Sequence, residues 1–228
     1  MRSAAAWLEP RTRWVFSPRA ITDREYGELF STLQSTGVSQ RHGPDAGSWH
    51  RIAQSLVRDD AASDVRAAIM KGIGDVVVLD NSVQRSDATG RALFPQLRGP
   101  KIRVMWIRML IEPGRARLAN VEQLPVAVDV QVRKVSEYLG VTDTWGTGPL
   151  DSRMRLKIQR AWAAEVAKSG CNGPHALRGT AAALDPALWF VGSRHCSGCE
   201  RAGRALRPLW VCARCRASSL RSWPTSAL

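Results

Sequence analysis

The chain has 228 residues, 44% of them hydrophobic and nine of them tryptophan, which suits one well-cored domain with a small appendage or two small domains. Lysine and arginine outnumber aspartate and glutamate by 33 to 20, and the resulting net charge of +13 favours phosphate backbones or acidic surfaces as partners. No apolar run approaches the roughly 18 residues of a membrane span, and the opening MRSAAAWLEPRTRW is too short in apolar residues for a signal peptide, so a cytoplasmic, nucleoid-associated protein with no membrane partner is expected.

Residues 1–20, with two prolines, two tryptophans and no periodicity, read as an extended N-terminal arm. Thr22 then caps a helix with Tyr26, Leu29, Phe30 and Leu33 on one face, and Gly37 stops it. The polar run SQRHGPDAG (39–47) reads as a loop. Ser48 caps a second helix with Ile52, Leu56 and Val57 inward, and Ser63 opens a third with Val65 and Ile69 inward, ending at Gly72. DVVVLD (75–80) fits a strand or a short buried helix equally, and NSVQRSDATG (81–90) is a polar loop.

Gly99-Pro100 has helical patterns on both sides and reads as a helix–turn–helix corner, with Gly supplying an unusual backbone angle and Pro presetting the first helical turn. Ile102, Met105, Trp106, Met109 and Leu110 can cover a core face of the helix that follows. Its opening amides, beside Gly99 and Lys101, suit a DNA phosphate. Further on, Leu124-Pro-Val-Ala-Val-Asp129 is an apolar lead-in ending at a carboxylate. Val128, Val132, Val135 and Leu139 fall on one helical face, which puts Asp129 at or near the N-cap, held and aimed by backbone amides. Arg133 and Lys134, one turn on, lie where a phosphate backbone can pass. A long helix from Asp151 turns Met154, Ile158, Trp162 and Val166 inward; a loop carrying SGCNGPH leads to a final helix whose entry, Leu184-Asp185-Pro186, puts Asp at the cap. The tally is all-α, with no internal repeat.

The segment VDVQVRKVSEYLG resembles the Val-Asp-Thr-His-(apolar)-(Arg)-(apolar) signature of the helix-hairpin-helix (HhH-GPD, endonuclease III-like) DNA glycosylase superfamily, with Gln131 where the family has His. LRGPKIRVMWIRML is similar to that family's hairpin and Lys-bearing helix, the Gly-(Arg)-Lys-Thr-Ala step standing here as Gly99-Pro100-Lys101-Ile102-Arg103. The resemblance implies a two-lobed helix-hairpin-helix fold that clamps double-stranded DNA and flips the target base into the cleft. On that basis Asp129 and Lys101 are the catalytic candidates. Asp129 stabilises oxocarbenium character at the sugar or activates the nucleophile. Lys101 matches the amine that forms a Schiff base in members with lyase activity. Arg98, Gly99, Pro100, Arg103, Gln131, Arg133 and Lys134 are the DNA-binding candidates.

Disulfides are disfavoured in the cytosol, so the five cysteines read as metal ligands or buried thiols. Cys196-X2-Cys199-X12-Cys212-X2-Cys215 has metal-ligand spacing: two pairs, each able to bite one metal, favour zinc on spacing alone. The resemblance places Cys196 at the first ligand of a [4Fe-4S] cluster after the terminal helix, which narrowly tips the choice to iron–sulfur. Cys171 is left over as a loop thiol. Seven arginines against Glu200 surround the knuckle and suit phosphate.

The expected organisation is an arm (1–20), a helical HhH-GPD-like domain (21–190), a four-cysteine metal-cluster loop (191–216) and a disordered tail (217–228). The function expected is a monomeric base-excision DNA glycosylase, with or without AP-lyase activity. The alternative is a non-catalytic DNA-binding protein with a helix-hairpin-helix and a metal knuckle.

Overall fold

The computed structural model describes residues 14–37, 39–58, 62–142, 148–169, 177 and 179–196, excepting the side chains of 195 and 196. Among these the chain is mostly helical, with two short strands. It divides into two compact units: one from Met1–Arg103 with Gly114–Ala119, the other from Val104–Pro113 with Asn120–Leu228.

The first unit opens with a 3-10 turn at 14–16 and helix α1 (Pro18–Thr22), so the arm expected over 1–20 is helical where it is described. Ser17 caps α1 and Thr22 closes it, donating its hydroxyl to the Arg19 carbonyl at 2.7 Å. The next helix, α2 (Tyr26–Thr36), therefore starts without Thr22 as its cap; Gly37 ends it in the left-handed conformation. Leu29 and Leu33 are buried, whereas Tyr26 is exposed and lies across the start of α3 (His42–Arg58), its hydroxyl donating to the Gly43 carbonyl at 2.9 Å. Residues 42–47, expected as loop, are thus the first turns of α3. Pro44 needs no N–H there, Asp45 suits the helix start, and Gly43 and Gly47 leave a flat surface for the Tyr26 ring.

Helix α4 (Ser63–Lys71) buries Val65 and Ala68, three apart, leaving Ile69 exposed rather than inward. Strand β1 (Ile73–Asp75) follows, and Asp75 accepts the Val77 and Val78 amides at 2.8 and 3.1 Å. That cap turns the valine run into helix α5 (Val76–Ser82) despite its β-propensity. β1 pairs in parallel with β2 (Arg117–Ala119), Gly74 opposite Leu118.

Helix α6 (Pro100–Ile111) begins in the first unit and continues in the second. Its buried stripe is Val104, Ile107 and Ile111, so Ile102 and Met109, expected to cover the core, face outward. In the second unit, α7 (Val130–Tyr138), α8 (Ser152–Ser169), a 3-10 turn (Ala181–Leu184), α9 (Asp185–Phe190) and a π-helical segment (Val191–Cys196) follow. Val126, Val128, Val132, Val135, Ile158 and Trp162 share its core. Leu139, expected on that face, is exposed because α7 ends at Tyr138. No helix among the described residues is long and apolar enough to cross a membrane.

One polar chain crosses this core. Trp162 donates its indole N–H to Ser136 Oγ at 2.8 Å, and Ser136 donates to the Val132 carbonyl at 2.7 Å. Ser136→Ala leaves the indole N–H buried without an acceptor. A loss of about 1–3 kcal/mol in unfolding free energy is expected, read from the midpoint of urea denaturation.

Candidate functional site

Residues 124–128 form neither helix nor strand, the backbone is extended at Leu124, where the run begins, and at Asp129, which follows it, and Leu124, Val126, Ala127 and Val128 are all buried. Among the described residues no strand of this unit satisfies the peptide groups of that segment, and buried peptide groups must be satisfied. Side chains do this instead. From α8, Gln159 donates to the Val126 carbonyl at 3.1 Å and Arg155 donates to the Val128 carbonyl. From the start of α9, Asp185 accepts the Ala127 amide at 2.7 Å. The alternation follows from extended geometry, in which the carbonyls of residues two apart point to one side and the intervening amide to the other.

This strapped segment ends at Asp129, the N-cap of α7. Its Oδ1 accepts the Gln131 and Val132 amides, both at 2.9 Å, as the helical face on the sequence requires. Asp129 is half-buried. The carboxylate is thus fixed from two directions: by the helix it caps and by the segment that delivers it.

A third constraint comes from Gly192. A Cβ there would stand 2.6 Å from the Gln131 carbonyl oxygen and 2.8 Å from the Gln131 Cβ, so the π-helical segment packs backbone to backbone on the first turn of α7. Only the absence of a side chain allows that approach.

Asp185, expected as an ordinary helix cap, makes no cap bond to its own helix. Its carboxylate is 8% exposed, and Oδ2 lies 3.9 Å from Arg108 Nε of α6, an ion pair beyond hydrogen-bonding distance.

The other candidates divide between the units. Arg133 is turned into its own unit, with Nε 2.8 Å from Glu137 Oε1 and Nη1 donating to the Gly148 carbonyl at 2.8 Å. Gln131 and Lys134 are half-buried beside it on α7. In the first unit, Lys101 is half-buried in the opening turn of α6, and Arg98 is exposed. Arg103 pairs with Asp80 at 2.5 Å and also donates to the Arg98 carbonyl at 3.3 Å. Lys101 therefore belongs to one unit and Asp129 to the other.

The corner expected at Gly99-Pro100 has helix on one side only. Residues 83–99 form turns and an isolated bridge, Ser86 to Ala92, and the preceding helix ends at Ser82. Pro95 cannot donate to a helix ladder, Phe94 is sunk in the core, and Gln96 reaches back to Ser48 at 3.1 Å, holding the run as an irregular turn. Gly99 is outside the left-handed region and a Cβ there would meet nothing within 4 Å, so it does not supply the unusual angle expected of it. Its carbonyl accepts the Arg103 amide at 2.9 Å.

Of the cysteine quartet, Cys196 ends the π-helical segment, while its side chain and Cys199, Cys212 and Cys215 lie outside the described residues. So do Cys171, the arginines from 201 onward and the tail. Trp49 is stacked on Trp14, 5.6 Å between centroids, against the first unit's core. No family model matches the chain, and neither a curated protein nor a solved structure matches it.

Arg155, Gln159 and Gly192 were not singled out on the sequence, and Asp185 was read there only as a helix cap. The available signals were small: two polar residues four apart beside α8's inward stripe, and a glycine in a helical run with no turn to make. Asp185→Ala strands the Ala127 amide and the Arg108 charge together, and a loss of about 3 kcal/mol is expected by chemical denaturation. Gly192→Ala forces a methyl group against backbone, and a loss of about 1–3 kcal/mol is expected. Backbone amide shifts in NMR spectra at Gln131 and Val132 check that the displacement reaches the Asp129 cap.

Proposed function

We propose that the chain is a DNA N-glycosylase related to the helix-hairpin-helix superfamily, with Asp129 as its catalytic carboxylate. The observation that carries this reading is the construction of the Asp129 site: a half-buried carboxylate at an N-cap, delivered by a buried segment whose peptide groups three side chains satisfy. Such a group loses little conformational freedom on meeting a substrate and keeps its orientation as charge develops. The net charge of +13 supports a polyanionic partner. In this reading the finer fold is a two-lobed glycosylase arrangement, with the turn ahead of α6, rather than a symmetric hairpin, contacting DNA through Arg98, Gly99 and Pro100.

The chemistry follows from charge. In a flipped nucleotide the C1′–N bond breaks with its electron pair leaving on the base, and positive charge builds on the sugar ring and C1′. Asp129 stabilises that charge and accepts a proton from the water whose oxygen bonds to C1′. The leaving base is protonated in turn. If the Lys101 amine supplies the nucleophile in place of water, its nitrogen bonds to C1′, the C1′–O4′ bond breaks with O4′ taking up the proton the nitrogen gives up, and the resulting Schiff base loses a C2′ proton as the 3′ phosphate leaves. Cys196, Cys199, Cys212 and Cys215 hold the metal in this reading, a [4Fe-4S] cluster ahead of zinc; iron and acid-labile sulfide assays on purified protein separate the two.

The test is base release from duplexes carrying a panel of damaged and mismatched bases. Asn keeps the capping geometry of Asp but not its charge. Asp129→Asn is therefore expected to fold normally and to lower the excision rate by about 100-fold or more. Borohydride trapping on an abasic duplex reads the lyase step, and an adduct that Lys101→Ala abolishes assigns the amine. Excision at the wild-type rate in Asp129→Asn overturns the reading. Duplex binding with no product from any lesion identifies a non-catalytic DNA-binding protein instead.

A further inference from the structure

We infer that Arg155 binds the phosphodiester next to the nucleotide on which Asp129 acts. The inference rests on the glycosylase reading of Asp129 and names the part of the substrate that a second residue of the same site holds.

Two side chains of α8, one helical turn apart, hold the segment that delivers Asp129. Gln159 donates to the Val126 carbonyl at 3.1 Å, and Arg155 donates through Nη1 to the Val128 carbonyl. Both residues are half-buried, whereas Arg153, Lys157 and Arg160 of the same helix are exposed. The two straps do the same work, and the neutral amide of Gln159 is enough for it. Arg155 brings a full positive charge to the same task. Drawing a guanidinium part-way out of water costs free energy that one neutral carbonyl does not repay. That carbonyl is the one hydrogen-bond or ion-pair partner of the Arg155 side chain among the described residues. The charge is therefore surplus to fastening the backbone.

Where the charge stands decides what it is for. The Val128 carbonyl belongs to the peptide that ends at Asp129, and adjacent Cα atoms are about 3.8 Å apart. A bare cation at that place would oppose Asp129, whose task in the glycosylase reading is to stabilise positive charge on the sugar. An anion bound to the guanidinium removes the conflict. The substrate supplies one: every sugar within a DNA strand has a phosphate on each side, and both stay with the strand when the base swings out. The Val128 carbonyl takes one of the five guanidinium hydrogens, so a bidentate grip on two phosphate oxygens is still open to the side chain. Lysine and glutamine lack that fork. The contact is to the backbone, so it sets the target sugar against Asp129 without choosing the base.

Binding of the full chain to a fluorescein-labelled duplex with a central tetrahydrofuran, a stable abasic analogue, tests the inference by anisotropy at fixed salt. Companion duplexes carry a neutral methylphosphonate in place of the phosphate 5′ or 3′ to the analogue. Wild type should bind one of the two companions about 10-fold or more weakly than the parent, as expected for a lost charge-assisted contact. Arg155→Gln should bind the parent with the same loss, and that companion no worse than the parent. Glutamine keeps a donor for the Val128 carbonyl, and urea denaturation reads any loss of strapping. A variant that merely loosens the fold still discriminates against the methylphosphonate, because independent losses multiply. Multiplying losses at both positions, or a wild type indifferent to both methylphosphonates, overturns the inference. Base release that depends on Asp129, alongside multiplying losses here, overturns this inference alone. Non-multiplying losses without base release from any lesion leave the phosphate contact standing and overturn the glycosylase reading. A wild-type chain that binds no duplex overturns both.

Discussion

The second unit is arranged around a buried stretch of backbone that is neither helix nor strand and has no strand beside it among the described residues. Residues 124–128 have the sequence of a core strand, and in a sheet their peptide groups would be matched by a neighbour. Here two long polar side chains on α8 and one carboxylate on α9 take the neighbour's place. This explains why Asp185 is buried, why Arg155 departs from the outward course of the other α8 cations, and why the chain reaches α7 in one orientation. A side chain supplies a single bond where a strand supplies a ladder, so each strap carries more of the local stability than a comparable bond in a sheet.

Gly192 and the Asp129 cap belong to the same arrangement. The cap fixes the carboxylate relative to α7, the straps fix the segment that precedes it, and the glycine fixes α7 against the chain leading to Cys196. Asp129 is consequently positioned by contacts that α8, α9 and the π-helical segment make with the chain on either side of it.

Local patterns on the sequence located what depends on local physics. The α7 face, its aspartate cap and the inward stripe of α8 all follow from periodicity of 3.6 and from N-cap chemistry, and the structure has them. Elements decided by distant partners were not visible. Glycines and a proline in 42–47 looked like loop, but packing against Tyr26 and tolerance of proline in a first turn make that segment helix. The stretch leading into Gly99 looked like one side of a helix–turn–helix corner, but Phe94 and Gln96 bind elsewhere in the first unit and hold it irregular. Arg103 and Arg133 were expected to face DNA from their places in the two motif stretches, and each has an acid at hydrogen-bonding distance, 23 positions away for one and a helical turn away for the other.

The parallel pairing of Ile73–Asp75 with Arg117–Ala119 has a consequence for how the protein is made. The chain leaves its first unit after Arg103 and returns to it at Gly114, so neither unit is one continuous length of polypeptide. During synthesis the earlier helices emerge well before the strand that completes their sheet, and the ten residues contributed to the later unit emerge before the rest of it. Each unit therefore waits on a piece of chain separated from its main body by a length belonging to the other, and a proteolytic cut between Arg103 and Gly114 would damage both at once.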